Sequence, residues 1–405
     1  MAFRLALSGL NAASADLSVT ANNIANTGTT GFKGSRAQFA ELFSVSSTGV
    51  SANATGNGVR VASVAQQFSQ GNIDFTDNSL DMAISGQGFF ILSDNGAQAY
   101  TRAGAFTVDR DGYVVNSNNQ RLQVFPPTPQ GVFNTGSLTD LRLVTSESAP
   151  SATNTVEMVM NLPANAAPPP SAVFDPADPD SFNHSSSMTV YDSLGAAHTA
   201  SVYFIKTAIP NTWSQRLSID GTLVGVPQTM VYNNTGSLIN PPTGRIAFPP
   251  FAPTTGAADI NVTYDFSKTT QYGGAFTVNA ITQDGYTTGR LIGIDTGSTG
   301  IVQARFTNGR SEPLGQIAMA NFSNPNGLQQ LGDTNWAETF GSGQALKGQA
   351  GNAGLGLIQS GALEASNVDI TEQLVNMITA QRNFQANAQM ISTADAVTQT
   401  IINIR

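Results

Sequence analysis

The chain begins with MAFRLALSGLNAASADLSVTANNIAN (residues 1–26) and ends with a second long segment, SNVDITEQLVNMITAQRNFQANAQMISTADAVTQTIINI (residues 366–404). In each segment a large apolar residue returns every seven positions, which is close to two helical turns. The repeated positions are Phe3, Leu10, Leu17 and Ile24 in the first segment and Ile370, Met377, Phe384 and Ile391 in the second. Both segments are therefore predicted to be helices with an apolar stripe along one side.

An apolar stripe on a helix has to be covered by another surface. Because these two helices stand at opposite ends of one chain, we expect them to pair as a coiled-coil-like layer, within one subunit and with neighbouring subunits. This arrangement predicts a homopolymer of many copies rather than an enzyme. The residues predicted to make the subunit–subunit contacts are Phe3, Leu7, Leu10, Leu17, Asn22, Asn23, Ile24, Leu374, Met377, Ile378, Phe384, Ile391 and Ile402.

The pattern alone leaves other interpretations open. An amphipathic helix can also cap the core of a single domain, and a heptad over four turns can arise by chance. A pair of carboxylates that cleaves a glycosidic bond meets only in the folded chain. A secreted carbohydrate-active enzyme or adhesin built from β domains therefore stays open as a function of a different class.

The 405 residues are weakly charged, with 11% Asp, Glu, Lys and Arg against 40% hydrophobic residues, 39 Gly and 19 Pro. This composition is typical of a folded, loop-rich β protein. The net charge of −9 leaves no basic stripe for nucleic acid. The lack of cysteine excludes disulfides and thiolate metal sites, and no cofactor or metal is expected. The two histidines, His184 and His198, are both expected to face solvent.

No run of residues approaches the ~20 apolar positions that a membrane-spanning helix needs, so we expect a chain that is not embedded in a membrane. The segment from Arg4 to Ala15 imitates a short signal peptide, with a charge, an apolar stretch and small residues. The heptad pattern continues through the apparent cleavage point to Leu17 and Ile24. If the protein leaves the cell, we expect it to do so uncleaved.

Between the two ends, short period-two runs alternate with turns such as Asn95-Gly96 and Asp220-Gly221, a pattern that favours β hairpins. The predicted fold class is therefore mainly β with α-helical ends. The sequence predicts three domains, the third inserted in the second. These are a terminal helical polymerisation domain with an extended arm (1–70 and 361–405), an inner β domain (71–145 and 286–360) and an outer β domain (146–285).

Several stretches resemble the signatures of the bacterial flagellar axial proteins, the rod and hook family. The N-terminal signature is matched by Asn22–Thr27 and Thr30–Lys33, the C-terminal one by Glu364–Asp369, Leu374–Ile378 and Ala380–Asn387, and the core by Ser85–Phe90 and Tyr100–Gly104. Within this family, the chain length and the ending Ile401–Arg405 resemble those of hook subunits. The distal rod structural proteins share both signatures but are shorter, and they are the alternative within the family.

The resemblance implies a structural subunit that the flagellar type III export apparatus secretes without cleaving a signal peptide. The subunits would polymerise beneath a hook cap, outside the cell, into a flexible curved tube. This tube would contact the rod and the hook–filament junction proteins. It would act as a universal joint that transmits motor torque to the filament for motility.

Overall fold

The structure is a computed structural model that describes residues 2–42, 56–128, 131–143, 147–352 and 354–403. The chain divides into two compact units. The first contains Met1–Thr145, Gly293–Arg305 and Ser311–Arg405, and the second contains Ser146–Ile292 and Phe306–Arg310. Strands dominate both units, so the prediction of a mainly β fold with helical ends is confirmed.

Both ends of the first unit are helical, and the two helices pair as predicted. Helix α1 spans Ala2–Ala25 and helix α2 spans Ile370–Asn403. Helix α2 begins after Asp369, whose Oδ1 accepts hydrogen bonds from the backbone N–H groups of Thr371 at 2.7 Å and Glu372 at 3.1 Å. These bonds satisfy two amides that a helix start leaves free, and they hold the pKa of Asp369 below its usual value.

Two short 3-10 helices, Pro179–Ser181 and Pro325–Gly327, lie in loops. Within the part of the chain that the structure describes, no helix combines the length and the apolar content that a membrane crossing requires.

The N-terminal part of the first unit continues from α1 into a series of strands. They are β1 (Ser35–Glu41), β2 (Val59–Gln66), β3 (Ile73–Phe75), β4 (Met82–Ser85), β5 (Phe89–Asp94), β6 (Ala97–Thr101), β7 (Thr107–Val108), β8 (Val114–Val115), β9 (Arg121–Phe125) and β10 (Thr139–Asp140). Strands β1 and β2 form an antiparallel hairpin. Composition predicts only an extended arm in this region, because its small polar residues give no clear strand pattern from which the pairing could be read.

The second unit is a two-sheet β sandwich. Its strands are β11 (Thr155–Asn161), β12 (His184–Tyr191), β13 (Ala197–Lys206), β14 (Thr212–Ile219), β15 (Thr222–Tyr232), β16 (Leu238–Asn240), β17 (Arg245–Ala247), β18 (Thr263–Asp265) and β19 (Thr277–Gln283). One sheet has the order β17-β18-β11-β19 and the other β12-β13-β14-β15-β16. Alternate residues of both sheets meet in one core, for example Met158 and Tyr264 from the first and Phe204 and Trp213 from the second.

The predicted turns of both units are confirmed where the backbone needs positive φ. Asn95 and Gly96 have φ of 51° and 99°, and Asp220 and Gly221 have φ of 48° and 80°. Asn, Asp and Gly tolerate this region better than other residues, which is why these dipeptides connect consecutive antiparallel strands.

The chain returns to the first unit through its remaining strands. They are β20 (Leu291–Thr296), β21 (Ile301–Phe306), β22 (Ser311–Asn321), β23 (Gln329–Gly332), β24 (Asn335–Ala337), β25 (Leu346–Gln349), β26 (Leu357–Ser360) and β27 (Ala362–Glu364). A large sheet follows the path β20-β21-β22-β9-β5-β6-β24-β23. Strand β26 pairs with β4 and strand β27 with β3, which joins the approach to α2 to the N-terminal part of the unit.

The large sheet of the first unit is covered by apolar side chains on both faces. Strand β5 carries the uninterrupted apolar run Phe89, Phe90, Ile91 and Leu92, all of them buried. Phe90 and Leu92 belong to one core cluster, and Phe89 and Ile91 belong to another. Successive side chains of a strand point to opposite faces, so a continuous apolar run is what a doubly covered strand requires.

Candidate functional site

Helix α2 packs against a row of small residues on α1. Ala6, Ala13 and Thr20 recur at intervals of seven and are 1%, 7% and 4% exposed. Gly9 lies on the same side, and a methyl group there would overlap the side-chain amide of Asn387 on α2. Near the end of α1, Asn23 Nδ2 donates to Gln373 Oε1 at 3.2 Å. These small side chains let the two helices approach closely.

The small-residue row of α1 is more deeply buried than the predicted apolar stripe, and the expectation that the two stripes face each other stays a prediction. Phe3 is 53% exposed, and Leu10, Leu17 and Ile24 are half-buried. The stripe lies three positions before the small-residue row, or about 60° around the helix.

Helix α2 faces α1 with much of its predicted stripe. Met377 and Ile391 are half-buried, and Ala380, on the same side, is fully buried. Phe384 is 36% exposed, although it lies between them on that side. Ile370, the first member of the stripe, is 52% exposed and lies outside the helix contact.

Four large apolar side chains at the start of α2 are exposed. Ile370, Leu374 and Ile378 follow one another at intervals of four, with Val375 beside them. Their exposed fractions are 52%, 42%, 49% and 59% in the order Ile370, Leu374, Ile378, Val375. We call these four residues the outer patch of α2.

The remaining residues of the predicted contact set are spread over the two helices. Leu7 is 42% and Ile402 is 66% exposed. Asn22 is exposed, whereas Asn23 is buried and holds the chain that follows α1. The structure therefore partly buries Met377 and Ile391, and it leaves Phe3, Leu7, Leu374, Ile378 and Ile402 substantially exposed.

A buried ionic cluster attaches both terminal helices to the body of the first unit. The Glu364 carboxylate lies 2.6 Å from Lys33 Nζ and 3.1 Å from Arg102 Nη1, and the Glu364 side chain is fully buried. Lys33 also donates to the carbonyl of Ser69 at 2.7 Å, and Arg102 to the carbonyl of Gly86 at 2.8 Å. The chain after α1, the core and the approach to α2 thus meet at one carboxylate.

One carboxylate serves two buried cations in this cluster. Burial lowers the pKa of Lys33, and the charge of Glu364 opposes that shift; burial lowers the pKa of Arg102 in the same way. The backbone N–H of Gly71 also donates to Glu364 Oε1 at 2.9 Å. Since each cation relies on Glu364 for its neutralisation, loss of this carboxylate would leave two uncompensated buried charges.

Two asparagine side chains reinforce the same attachment. Asn23 on α1 donates to the carbonyl of Ser35 at 2.8 Å and accepts from the Ser35 N–H at 2.9 Å. Asn367, just before α2, accepts from the Gly34 N–H at 2.8 Å and donates to the carbonyl of Gln67 at 2.7 Å. Both side-chain amides form hydrogen bonds with backbone N–H and C=O groups that no neighbouring helix or strand satisfies.

The sequence predicted none of these roles, although Lys33, Arg102, Glu364 and Asn367 all lie within the family signatures. One feature of the sequence could have indicated these roles. Only 11% of the residues are charged, yet Lys33, Arg102 and Glu364 lie inside the signature motifs. The sequence could not show that these residues meet, because Lys33 and Glu364 are separated by 331 positions.

A second polar cluster lies in the second unit around His198, which corrects the expectation that this histidine faces solvent. Its side chain is 6% exposed and lies between the carboxylates of Asp192 and Asp220. The other histidine, His184, is half-buried and stacks on Phe276 with ring centroids 4.4 Å apart. Among the described residues, no group of three or more acidic, histidine or cysteine side chains could hold a metal ion.

Models of four flagellar domain families match consecutive parts of the chain. The flagella basal body rod protein family matches residues 3–33, and the D1 domain of the flagellar hook protein FlgE/F/G family matches residues 83–166. The D2 domain of flagellar basal body protein FlaE matches residues 161–286. The C-terminal family of the flagellar basal body rod FlgEFG proteins matches residues 359–404.

Relatives and a solved structure agree with these matches. The flagellar hook proteins FlgE of Escherichia coli and Salmonella typhimurium are 39% and 38% identical to this chain, over 100% of both chains. FlgE of Borreliella burgdorferi is 33% identical over 98% of each chain. The crystal structure of Helicobacter pylori flagellar hook protein FlgE2 shares the fold with a TM-score of 0.56 at 14% identity, covering 72% of this chain and 100% of that one. The chain belongs to the flagellar hook protein family, the structural subunits of the hook.

Proposed function

We propose that copies of this chain polymerise into the hook through the outer patch of α2 and the open apolar positions of α1. The observation that carries this proposal is the outer patch itself. Its four large apolar side chains are between 42% and 59% exposed. A contiguous apolar surface of this kind is a feature of interaction sites. The predicted contact residues Leu374 and Ile378 belong to it.

The proposed assembly is an open helical tube. Identical subunits that add head-to-tail through a rotation that does not close generate such a polymer. We propose that residues 1–70 and 361–405 form its inner, polymerising layer. The β domains at 71–145 with 286–360, and at 146–285, would form successive outer layers. A chain with only 11% charged residues would let outer contacts slide without breaking many ion pairs, as a flexible, curved joint requires.

The same proposal includes the location and partners of the subunit. The tube would lie outside the cell, between rod and filament, and would transmit torque. Its subunits would reach that place through the flagellar type III export apparatus without a cleaved signal peptide. They would assemble beneath a hook cap and contact rod and hook–filament junction proteins.

We further propose that the chain has no enzymatic activity. The cluster around His198 is the arrangement that most resembles a catalytic pair. Both of its ring nitrogens face carboxylate oxygens, Asp220 Oδ2 at 2.6 Å and Asp192 Oδ2 at 3.2 Å. Neither nitrogen is left to take a proton from a nucleophile or a water molecule, which a general base must do. This argues against His198 as a general base, and the proposal that the chain is not an enzyme rests otherwise on its membership of a family of structural subunits.

Electron microscopy and sedimentation of the purified chain test the proposal. The full chain should form curved tubes, whereas a chain that ends at residue 369 and lacks α2 should stay monomeric. Circular dichroism should show that the truncated chain keeps its β structure. Tubes formed by the truncated chain would contradict the proposal. Straight, rigid tubes from the full chain would favour the distal rod alternative.

A further inference from the structure

His198 holds together two turns and a loop of the second unit. The residue lies on β13, and its ring contacts Asp192 in the turn after β12 and Asp220 in the turn after β14. Thr255, in the loop after β17, donates its hydroxyl to Asp192 Oδ2 at 2.7 Å. The ring of Phe251, in the same loop, meets the imidazole edge-on with centroids 6.4 Å apart.

Both carboxylates are held as hydrogen-bond acceptors by groups other than the histidine. Asp192 Oδ1 accepts from the backbone N–H groups of Leu194 at 2.9 Å and Ala196 at 2.8 Å. Asp220 Oδ1 accepts from the N–H of Thr199 at 2.9 Å. Since each carboxylate turns its other oxygen towards a ring nitrogen, both ring nitrogens have to donate. Only the doubly protonated imidazolium has two N–H donors.

We propose that His198 is a proton-dependent clamp in the second unit, closed when the ring carries both protons and loosened when it loses one. Loss of a proton leaves a nitrogen lone pair against a carboxylate and removes the positive charge between two negative ones. The charged groups that face the ring are those of Asp192 and Asp220; the loop contributes only the Thr255 hydroxyl and the Phe251 ring. Deprotonation should therefore release the loop and both turns.

The pKa shifts of His198 and Asp192 agree with this geometry and set the pH window. Burial lowers the pKa of His198, but the hydrogen bonds to Asp220 and Asp192 outweigh it and raise the pKa above 6.5. Burial raises the pKa of Asp192, but bonds led by that of Thr255 outweigh it and lower the pKa to about 2. A raised histidine pKa gives stability that is fully present below pH 6.5 and is lost as pH rises through the folded-state pKa. The depressed aspartate pKa keeps its own contribution until pH falls towards 2.

The chain contains only two histidines, which makes the proton on His198 directly observable by imidazole NMR in the full-length monomer. His184 is the internal reference, because burial lowers its pKa below 6.5. The clamp predicts two titrations on opposite sides of 6.5, with His198 losing its second ring proton at a higher pH than His184 does. A His198 that titrates at or below 6.5 would overturn the proposal.

A second measurement follows the opening itself through hydrogen exchange at the amides of Leu194, Ala196 and Thr199. For each unit by which the pKa of His198 exceeds its unfolded value, the protection at alkaline pH should fall by about tenfold relative to pH 6. In His198→Gln this pH dependence should vanish, whereas the matched control His184→Gln should retain it. Protection that falls equally with pH in wild type and His198→Gln would contradict the clamp.

Discussion

The second unit and helix α2 place their large apolar residues in opposite ways. In the sandwich, strands such as β11 and β13 turn alternate residues into one closed core that includes Met158, Phe204 and Trp213. In α2, Ala380 is the only buried side chain among the residues whose burial is described, and the outer patch is open. The sandwich therefore buries its apolar residues within one chain, whereas α2 leaves large apolar side chains exposed.

From this contrast we infer that stability and assembly depend on separate parts of the chain. The ionic cluster at Glu364 attaches α1 and α2 to the first unit, the small-residue row on α1 pairs them, and the outer patch remains for association. Each of these three sets of residues can be altered by its own substitutions. Substitutions in one should leave the sandwich unchanged, and such substitutions test whether the separation is real.

The largest loss of stability is expected from Glu364→Gln. The substitution leaves Lys33 and Arg102 buried without their counter-charge, and removing one partner of a buried ionic group destabilises by about 3–5 kcal/mol. Calorimetry should show the transition of the first unit shifted down and that of the second unchanged. The control is Asp140→Asn, which removes a partly exposed partner of Arg121 and should change little. Equal shifts in both units would mean that they do not unfold separately.

A smaller loss of stability is expected from Ala13→Leu. Ala13 is 7% exposed in the row that faces α2, and forcing a larger side chain into a packed contact destabilises by about 1–3 kcal/mol. Circular dichroism should show loss of helix at a lower temperature than in wild type. Ser14→Leu, one position further on and exposed, is the matched control and should be mild. If Ser14→Leu is the more damaging change, the helix contact has been assigned to the wrong side.

The smallest change in stability is expected from Gln215→Met, within the sandwich. Gln215 is fully buried, and neither atom of its side-chain amide has a hydrogen-bond partner among the described residues. Replacing an unsatisfied buried amide by an apolar side chain of similar shape should stabilise the second unit by about 1 kcal/mol. Thermal unfolding measures this as a higher melting temperature, with Gln228→Met, which is half-buried, as the control. A lower melting temperature would show that the amide is satisfied in solution.

The local features of the fold were predictable, whereas the long-range ones were not. Helix limits, the Asn95-Gly96 turn and the Asp220-Gly221 turn follow from neighbouring residues, which the sequence displays directly. The side of α1 that faces α2 could not be deduced, because a row of Ala, Gly and Thr gives a weaker periodic signal than the Phe and Leu stripe beside it. The roles of Glu364 and His198 depend on partners brought together only by the fold.

Association through the outer patch is tested most directly by the assembly of Ile378→Glu. Ile378 is 49% exposed in the single chain, so the monomer should fold and melt like wild type. Burial of an unpaired carboxylate between subunits should raise the critical concentration for tube formation at least about a hundredfold. Asn383→Glu makes the same charge change on an exposed residue about 140° around α2 and should assemble near the wild-type concentration. Normal tubes from Ile378→Glu, or equal failure of both variants, would contradict this role of the outer patch.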